Sequence, residues 1–302
     1  MPPKVSIVIL QFNNSEDTIK CLQFVKELDY PNFEVIVVDN NSEPPHFKNT
    51  ENYLKSQEKV YSFQFIASRE NFGYAGGNNL GIKRALENGA NYILIFNNDV
   101  EVHPDLLEKL LRTAQADEKN GIVGPLINEN NRLACGGKIT WLKSELSHIE
   151  CEGLNIEQTL YHILYGKYYI PGSCMLIKSQ TIEKIGLLPE EYFLYFEDVD
   201  YCLKAFKTGL KCAITADAVI NHRQHGSTAK ISPLFILRYH FRNSLYFNRK
   251  NGPFWAKILI YPWSLWIIGK QLVKLAIHRH PEQSKAILKG VIDFYKGRMG
   301  KI

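Results

Sequence analysis

Carboxylates stranded among apolar residues are the first places to look for chemistry. Asp99 follows the apolar run Tyr92–Phe96 after only Asn97 and Asn98. A carboxylate at the end of a buried strand can bind a metal or cap the helix that follows. His222 offers an imidazole nitrogen from a distant part of the chain; taken alone, it reads as a structural histidine. Together, an oxygen and a nitrogen suit manganese, and magnesium less well, with diphosphate oxygens completing the shell. The densest acidic cluster is Glu197-Asp198-Val199-Asp200, directly after Tyr192-Phe193-Leu194-Tyr195-Phe196. It sits at the start of a predicted helix, whose dipole favours an ionised carboxylate. An ionised carboxylate within reach of a hydroxyl can act as a general base, and aromatic residues line pockets of sugar size. Ordinary enrichment of acids in a first helical turn is the plainer reading, and three acids in four residues exceed it.

These groups need a scaffold. Val5–Leu10, Phe33–Val38, Ser62–Ala67 and Tyr92–Phe96 read as strands, apolar nearly throughout and so buried on both faces. Between them, Glu16–Leu28 has helical apolar spacing behind the capping residues Asn13-Asn14-Ser15, and the glycine-rich turn Asn71–Asn79 opens a helix ending near Gly89. Pro104 starts a helix through about Ala116. Alternating strands and helices predict a mostly parallel sheet with helices on both faces. Ligands in such sheets sit beyond the carboxyl ends of the strands. Those ends carry Gln11 and Asn13, Asp39 and Asn40, and Asn97 to Asp99. The glycine-rich turn does not follow the first strand, which excludes a dinucleotide fingerprint. Residues 121–170 are less regular. Order returns at Tyr169–Ile177, a short helix from Ser179 to Gly186, a helix from the acidic cluster to about Gly209, and strand-like Lys211–Thr215 and Ala218–Ile220.

With 302 residues, 45% hydrophobic and 22% charged, the composition is that of a globular protein with a sizeable core. The net charge of +5 is unevenly spread. Residues 226–302 hold 14 Lys and Arg against only Glu282 and Asp293, whereas residues 1–225 hold 22 basic and 29 acidic residues. The tail therefore suits an anionic surface, or is simply a solvated basic face. Phe254–Gly269 is aromatic and apolar, broken by Lys257 and Pro262, and flanked by basic residues. It is too short and interrupted for a membrane span. It fits helices lying in a membrane interface, a cap on the core, or a homodimer contact. The six cysteines form no Cys-x-x-Cys pair, so they fit a reducing compartment rather than a zinc or redox site. Val5–Leu10 is too short for a signal-peptide core, so the chain is expected on the cytosolic side.

The motifs together resemble the inverting glycosyltransferase family 2, of the GT-A fold, and within it the bacterial rhamnosyltransferase-like subgroup. The matching pieces are Val5-Ser6-Ile7-Val8 with Phe12-Asn13, Val37–Ser42, Asn71–Asn78, Asn97-Asn98-Asp99, Phe196–Asp200, and His222 with Gly226-Ser227. The tail residues Tyr239–Asn243 and Gly290–Gly300 look like the same subgroup. The resemblance implies an α/β GT-A catalytic domain over residues 1–230, a Rossmann-like mixed sheet flanked by helices, with a basic helical, membrane-associating extension over 231–302. It implies a divalent metal, Mn²⁺ or Mg²⁺, held by Asp99 and His222. The implied donor site comprises Leu10, Phe12, Asn13, Asp39, Asn40, Asn71, Gly77, Asn78, Asn97 and Asn98, with Phe12 stacking on the nucleotide base. Asp198 would be the general base with Glu197 beside it, and Gly172, Ser173 and Phe193 would border the acceptor. The donor would be dTDP-rhamnose or a UDP-sugar, and the acceptor a saccharide or lipid-linked saccharide. Nucleic acid is not expected. The enzyme would work in the cytoplasm, peripheral on the inner face of the cell membrane, in cell-surface polysaccharide synthesis. The chain departs from the family at its metal motif, usually Asp-x-Asp, by having asparagine at 97 and 98. That departure leaves open a non-catalytic carbohydrate- or membrane-binding scaffold. A nucleotidyltransferase would want a glycine-rich basic loop after the first strand, which is absent.

Overall fold

In a computed structural model describing residues 1–57, 63–141, 143, 145–151, 168–222 and 232–302, the apolar runs become the centre of one sheet. Its first half is β1 (Val5–Gln11), α1 (Ser15–Lys26), β2 (Phe33–Asp39), α2 (Pro44–Gln57), β3 (Phe63–Ala67), α3 (Gly73–Glu87) and β4 (Tyr92–Asn97). β3, β2, β1 and β4 lie side by side in that order, all parallel. Val5, Ile7, Val8, Ile9 and Val35–Val38 are wholly buried because both faces are covered, which is why these strands show no apolar alternation. Cys21, Leu22 and Val25 of α1 pack on one face; Ala75, Ile82 and Ala85 of α3 pack on the other.

Beyond β4 the sheet becomes mixed. The chain continues through β5 (Val100–Val102), α4 (Leu106–Ala116), β6 (Asn120–Glu129), β7 (Arg132–Thr140), β8 (Glu145–Glu150), β9 (Tyr168–Tyr169) and β10 (Cys174–Lys178). It then forms α5 (Ser179–Ile185), a 3₁₀ turn at Glu190–Tyr192, α6 (Glu197–Lys207) and β11 (Lys211–His222). β10 inserts antiparallel between β4 and β6. β11 runs parallel to β6 and antiparallel to β5. This places the start of β10, the start of α6 and the end of β11 around the carboxyl ends of the parallel strands.

Three local expectations change. α2 left little periodic trace in the sequence, because only Thr50 and Leu54 of its polar surface are buried. The helix expected from Pro104 begins at Leu106, with Asp105 in the N-cap position. Lys211–Thr215 and Ala218–Ile220 are one strand, irregular between Thr215 and Val219.

The C-terminal residues form α7 (Pro233–Asn251), α8 (Phe254–Ala276) and α9 (Pro281–Tyr295). Leu245, Ile260, Ile267, Ile287, Val291 and Phe294 give them a small core of their own. Among the described residues no helix is long and apolar enough to cross a membrane. All six cysteines are buried free thiols. The Gly226-Ser227 motif and the expected boundary at residue 230 lie outside the described residues.

Candidate active site

The ends of β1 and β2 are locked together by their polar residues. Gln11 is wholly buried; its Nε2 donates to Asp39 Oδ2 at 2.7 Å, and its Oε1 accepts from Thr50 Oγ1 at 2.5 Å. The other oxygen of Asp39 accepts the Ser42 N–H at 2.9 Å. The Asn13 N–H donates to Ser42 Oγ at 2.9 Å, and Asn13 Oδ1 accepts the Glu43 N–H at 2.7 Å. Asn13 and Asn41 adopt left-handed backbone, at φ 51° and 66°, a conformation asparagine tolerates better than most residues. Asn40 reaches to the glycine-rich turn. Its Nδ2 donates to Asn71 Oδ1 (3.1 Å) and Gly73 O (3.0 Å), and its Oδ1 accepts the Phe72 N–H (3.0 Å). Leu10 and Phe12 are half-buried at the rim.

Asp99 follows β4, and His222 ends β11. Asp99 Oδ1 and His222 Nε2 face each other at 3.3 Å, both buried and neither in a hydrogen bond. Across the ring, Nδ1 lies 2.6 Å from Glu129 Oε1. Burial opposes a charge on His222, but the Asp99 and Glu129 carboxylates outweigh it and raise the imidazole to about 9. Once the imidazole gives up its proton, His222 Nε2 and Asp99 Oδ1 would offer one nitrogen and one oxygen to a divalent cation. Glu129 would hold the ring through its far nitrogen, a usual support for a ligating histidine. No group of three acidic, Cys or His side chains placed to ligate a metal occurs among the described residues, so further ligands would come from the bound substrate. Glu129 was not singled out in the sequence; at the end of a long strand, 93 positions from His222, it carries no local signal.

On the other side, Glu197 and Asp198 open α6. The Gly172 N–H donates to Asp198 Oδ2 at 2.9 Å, and the Val199 N–H to Oδ1 at 2.8 Å. Burial raises Asp198 above the ordinary carboxylate range, while those backbone donors pull it down. Glu197 is raised further, to about 8, by burial and by the Asp198 charge, and its Oε2 is buried without a partner. Of the two, Glu197 is displaced further upward, because the Asp198 charge adds to burial there while backbone N–H groups stabilise the Asp198 carboxylate. A short hydrogen-bond path joins the two sides. The Asn97 N–H donates to Ser173 O at 3.0 Å, and Tyr74 Oη donates to Gly172 O at 2.5 Å. Burial, Asp198, Glu197 and, more weakly, Asp99 push the Tyr74 hydroxyl well up, so it stays a donor amid these acids.

Several expected site residues hold the scaffold. Asn98 turns inward, and its Nδ2 donates to Asn14 O (3.3 Å) and Thr18 Oγ1 (2.9 Å), tying β4 to the start of α1. Gly77 is a close-packing position: a Cβ there would lie 2.4 Å from Leu10 Cδ1. Asn78 donates from Nδ2 to Tyr74 O at 3.0 Å, leaving its Oδ1 buried and unpartnered. Phe193 stacks on Tyr239 of α7, with ring centroids 5.2 Å apart. A groove of about 970 Å³ opens at the opposite end of the sheet around Met1, Asn91 and Lys178, and its lining residues include no histidine.

Polar strand ends and the carboxylates that open α6 thus gather at the carboxyl ends of a mixed α/β sheet. The chain belongs to glycosyl transferase family 2, whose family model matches residues 6–169, and is a glycosyltransferase. It is 24% identical to the low-salt glycan biosynthesis hexosyltransferase Agl10 of Haloferax volcanii, over 98% of this chain and 92% of that protein. It is 26% identical to the dTDP-rhamnosyl transferase RfbF of Shigella flexneri, over 83% and 82%. Among solved structures it is similar to the mannosyltransferase PcManGT of Pyrobaculum calidifontis, in complex with GDP-Man and Mn²⁺. That likeness has a TM-score of 0.59 at 15% identity, covering 99% of this chain and 88% of the other. It is also similar to S. aureus TarS 1-349 in complex with UDP-GlcNAc, with a TM-score of 0.55 at 15% identity, covering 97% and 92%. These structural likenesses establish the GT-A-like fold.

Proposed function

We propose that the protein is an inverting, metal-dependent transferase that moves a sugar, rhamnose first among candidates, from a nucleoside-diphosphate donor to a saccharide or lipid-linked acceptor in cell-surface glycan synthesis. The observation that carries this reading is the Glu197–Asp198 pair, with Asp198 held on two backbone N–H groups. The donor would lie over the ends of β1, β2 and β4, its base against Phe12 and its ribose near Asp39. Asp198 takes the proton from an acceptor hydroxyl as that oxygen bonds to the anomeric carbon. The bond from that carbon to the diphosphate oxygen breaks, and the nucleoside diphosphate leaves. Asp99 and His222 would hold a divalent cation, which would supply Lewis-acid stabilisation to the leaving group. Glu197, still protonated, can donate a hydrogen bond to a sugar oxygen. One base and one displacement invert the anomeric centre. The dTDP-rhamnose preference draws on the likeness to RfbF, and Mn²⁺ on the likeness to PcManGT.

The C-terminal helices would keep the enzyme at an anionic membrane surface. α8 buries Ile260 and Ile267 together with Ser264 and Gln271, which bond to Tyr295 (2.6 Å) and Ser284 (3.1 Å). Phe254, Leu265, Trp266 and Val273 face outward, 52 to 80% exposed. Its only charges are Lys257, Lys270 and Lys274. An exposed apolar face with a basic rim suits a bilayer interface with anionic lipid. A second copy would bring lysine against lysine.

Early-turnover proton NMR of the released sugar, with Mn²⁺ present and absent, tests the central reading. Inverted product that needs the metal is expected. A retained configuration would overturn the single displacement.

A further inference from the structure

Three bulky residues just before the catalytic acids have positive φ: Phe193 at 66°, Tyr195 at 68° and Phe196 at 78°. Side chains with a Cβ avoid that region, and such backbone persists only where its surroundings hold it. Phe196 is the N-cap of α6 in left-handed conformation, with no side-chain cap. The backbone direction through 193–196 therefore sets where Asp198 points.

The carbonyls of this loop converge on two residues of α7, both wholly buried. Asn243 Nδ2 donates to Tyr192 O (3.0 Å), Leu194 O (2.7 Å) and Tyr195 O (3.2 Å). Arg242 Nη2 donates to the same Tyr192 O at 2.8 Å. Arg242 Nε donates to Asn243 Oδ1 at 2.8 Å, which fixes the amide with its nitrogen toward the loop. Arg242 Nη1 donates to Arg298 O (3.2 Å) and Gly300 O (2.7 Å), anchoring the guanidinium on the C-terminal residues. From the donor side, the Tyr74 N–H donates to Phe193 O at 2.8 Å. A Cβ on Gly73 would fall 2.2 Å from that same oxygen.

We propose that Arg242 and Asn243 are positioning residues that hold the left-handed 192–196 loop, and through it the carboxylate of Asp198, in the geometry for proton abstraction. The C-terminal helices are then part of the catalytic apparatus as well as a surface for docking. This rests on the assignment of Asp198 as the base. A buried guanidinium whose described hydrogen bonds go to backbone carbonyls and one amide serves backbone shape rather than ion pairing.

The test compares the wild-type chain, Asn243→Ala, Arg242→Met, Arg242→Lys and Asp198→Asn. It uses Mn²⁺-dependent hydrolysis of whichever donor wild type turns over fastest among dTDP-rhamnose, UDP-GlcNAc and GDP-mannose. Each protein is also followed by hydrogen exchange of residues 192–199. Asn243→Ala should lose about 10²-fold in kcat, the scale of a small misplacement at a reacting centre, with donor KM within twofold. Exchange should rise in 192–199 while the strand amides stay protected. Arg242→Lys keeps the cation but loses the fork, and should recover part of the rate lost in Arg242→Met. If Asn243→Ala does not fold, Asn243→Ser keeps one donor and should give an intermediate kcat. A folded Asn243 variant with wild-type kcat, or with unchanged exchange in the loop, overturns the proposal while Asp198→Asn is inactive. An Asp198→Asn enzyme that still hydrolyses the donor overturns the base assignment instead, and the proposal with it.

Discussion

The two sides of the site are built by opposite means. On the proposed donor side, Gln11 and Asp39 bond each other across neighbouring strand ends, and Asp39, Asn40 and Asn13 are satisfied by the turns beyond them. On the proposed transfer side, buried Glu197 and half-buried Asp198 stand beside each other, protonation is displaced upward, one oxygen of Glu197 is orphaned, and the backbone leading in is strained. A binding surface gains from satisfied, rigid polar groups, because little must reorganise when ligand arrives. A proton-transfer centre needs a group whose ionisation is poised, and poise comes from burial and like charge. The contrast separates holding from reacting within one sheet.

The largest expected break in the contrast is at Glu197. Its carboxyl titrates near 8 in the folded chain against an ordinary 4.5. Between those values the folded state holds a proton that the unfolded state has lost, so its contribution to stability falls as pH rises and levels off above 8. Glu197→Gln removes that fall. The variant should gain on wild type by about 3 to 5 kcal/mol between pH 4.5 and 8.5, read from urea unfolding at both ends. Because Gln mimics the protonated acid, its turnover at pH 7 should stay within about tenfold of wild type. Equal pH dependence in the two proteins would place the displaced proton elsewhere.

Glu129→Gln comes next. With its hold on His222 Nδ1 weakened, Mn²⁺ affinity measured by direct titration should fall about 10- to 100-fold, and metal-free stability should fall near neutral pH because the His222 charge loses one of its two carboxylates. Gln11→Ala should act on the other side only. It leaves Asp39 and Thr50 short of a partner, costs about 1 to 3 kcal/mol of stability, and raises donor KM without lowering kcat. A kcat effect larger than the KM effect would erase the division. The smallest effect on the fold is expected on α8. Leu265→Glu with Val273→Glu should change stability by no more than about 0.5 kcal/mol, since both are exposed. It should abolish sedimentation with anionic vesicles, and persistent binding would remove α8 as the contact.

The same division explains what could be read from the sequence. Donor-side residues lie in contiguous strand-to-turn segments, where apolar runs stop at Gln11, Asp39 and Asn97, so periodicity and residue type expose them. Asp99 and the Glu197–Asp198 pair stand out because acids are rare beside such runs. Their supports do not. Glu129, Arg242 and Asn243 reach the site through tertiary packing, from 93, 50 and 51 positions away. α2 escaped for a related reason: Thr50 matters to Gln11 through one hydroxyl, which no hydrophobic period reports. For Asn98 the sequence left a second role open: an amide at a strand end suits a ligand and a helix tie equally, and its Nδ2 donates to Thr18 Oγ1.

The division between holding and reacting is tested most directly by isothermal titration of Asp198→Asn protein with donor and Mn²⁺, beside a turnover assay of the same sample. The account predicts donor affinity within twofold of wild type and transfer reduced about 10³-fold or more. Lost donor affinity would put Asp198 in the holding half, and retained turnover would remove it from the chemistry.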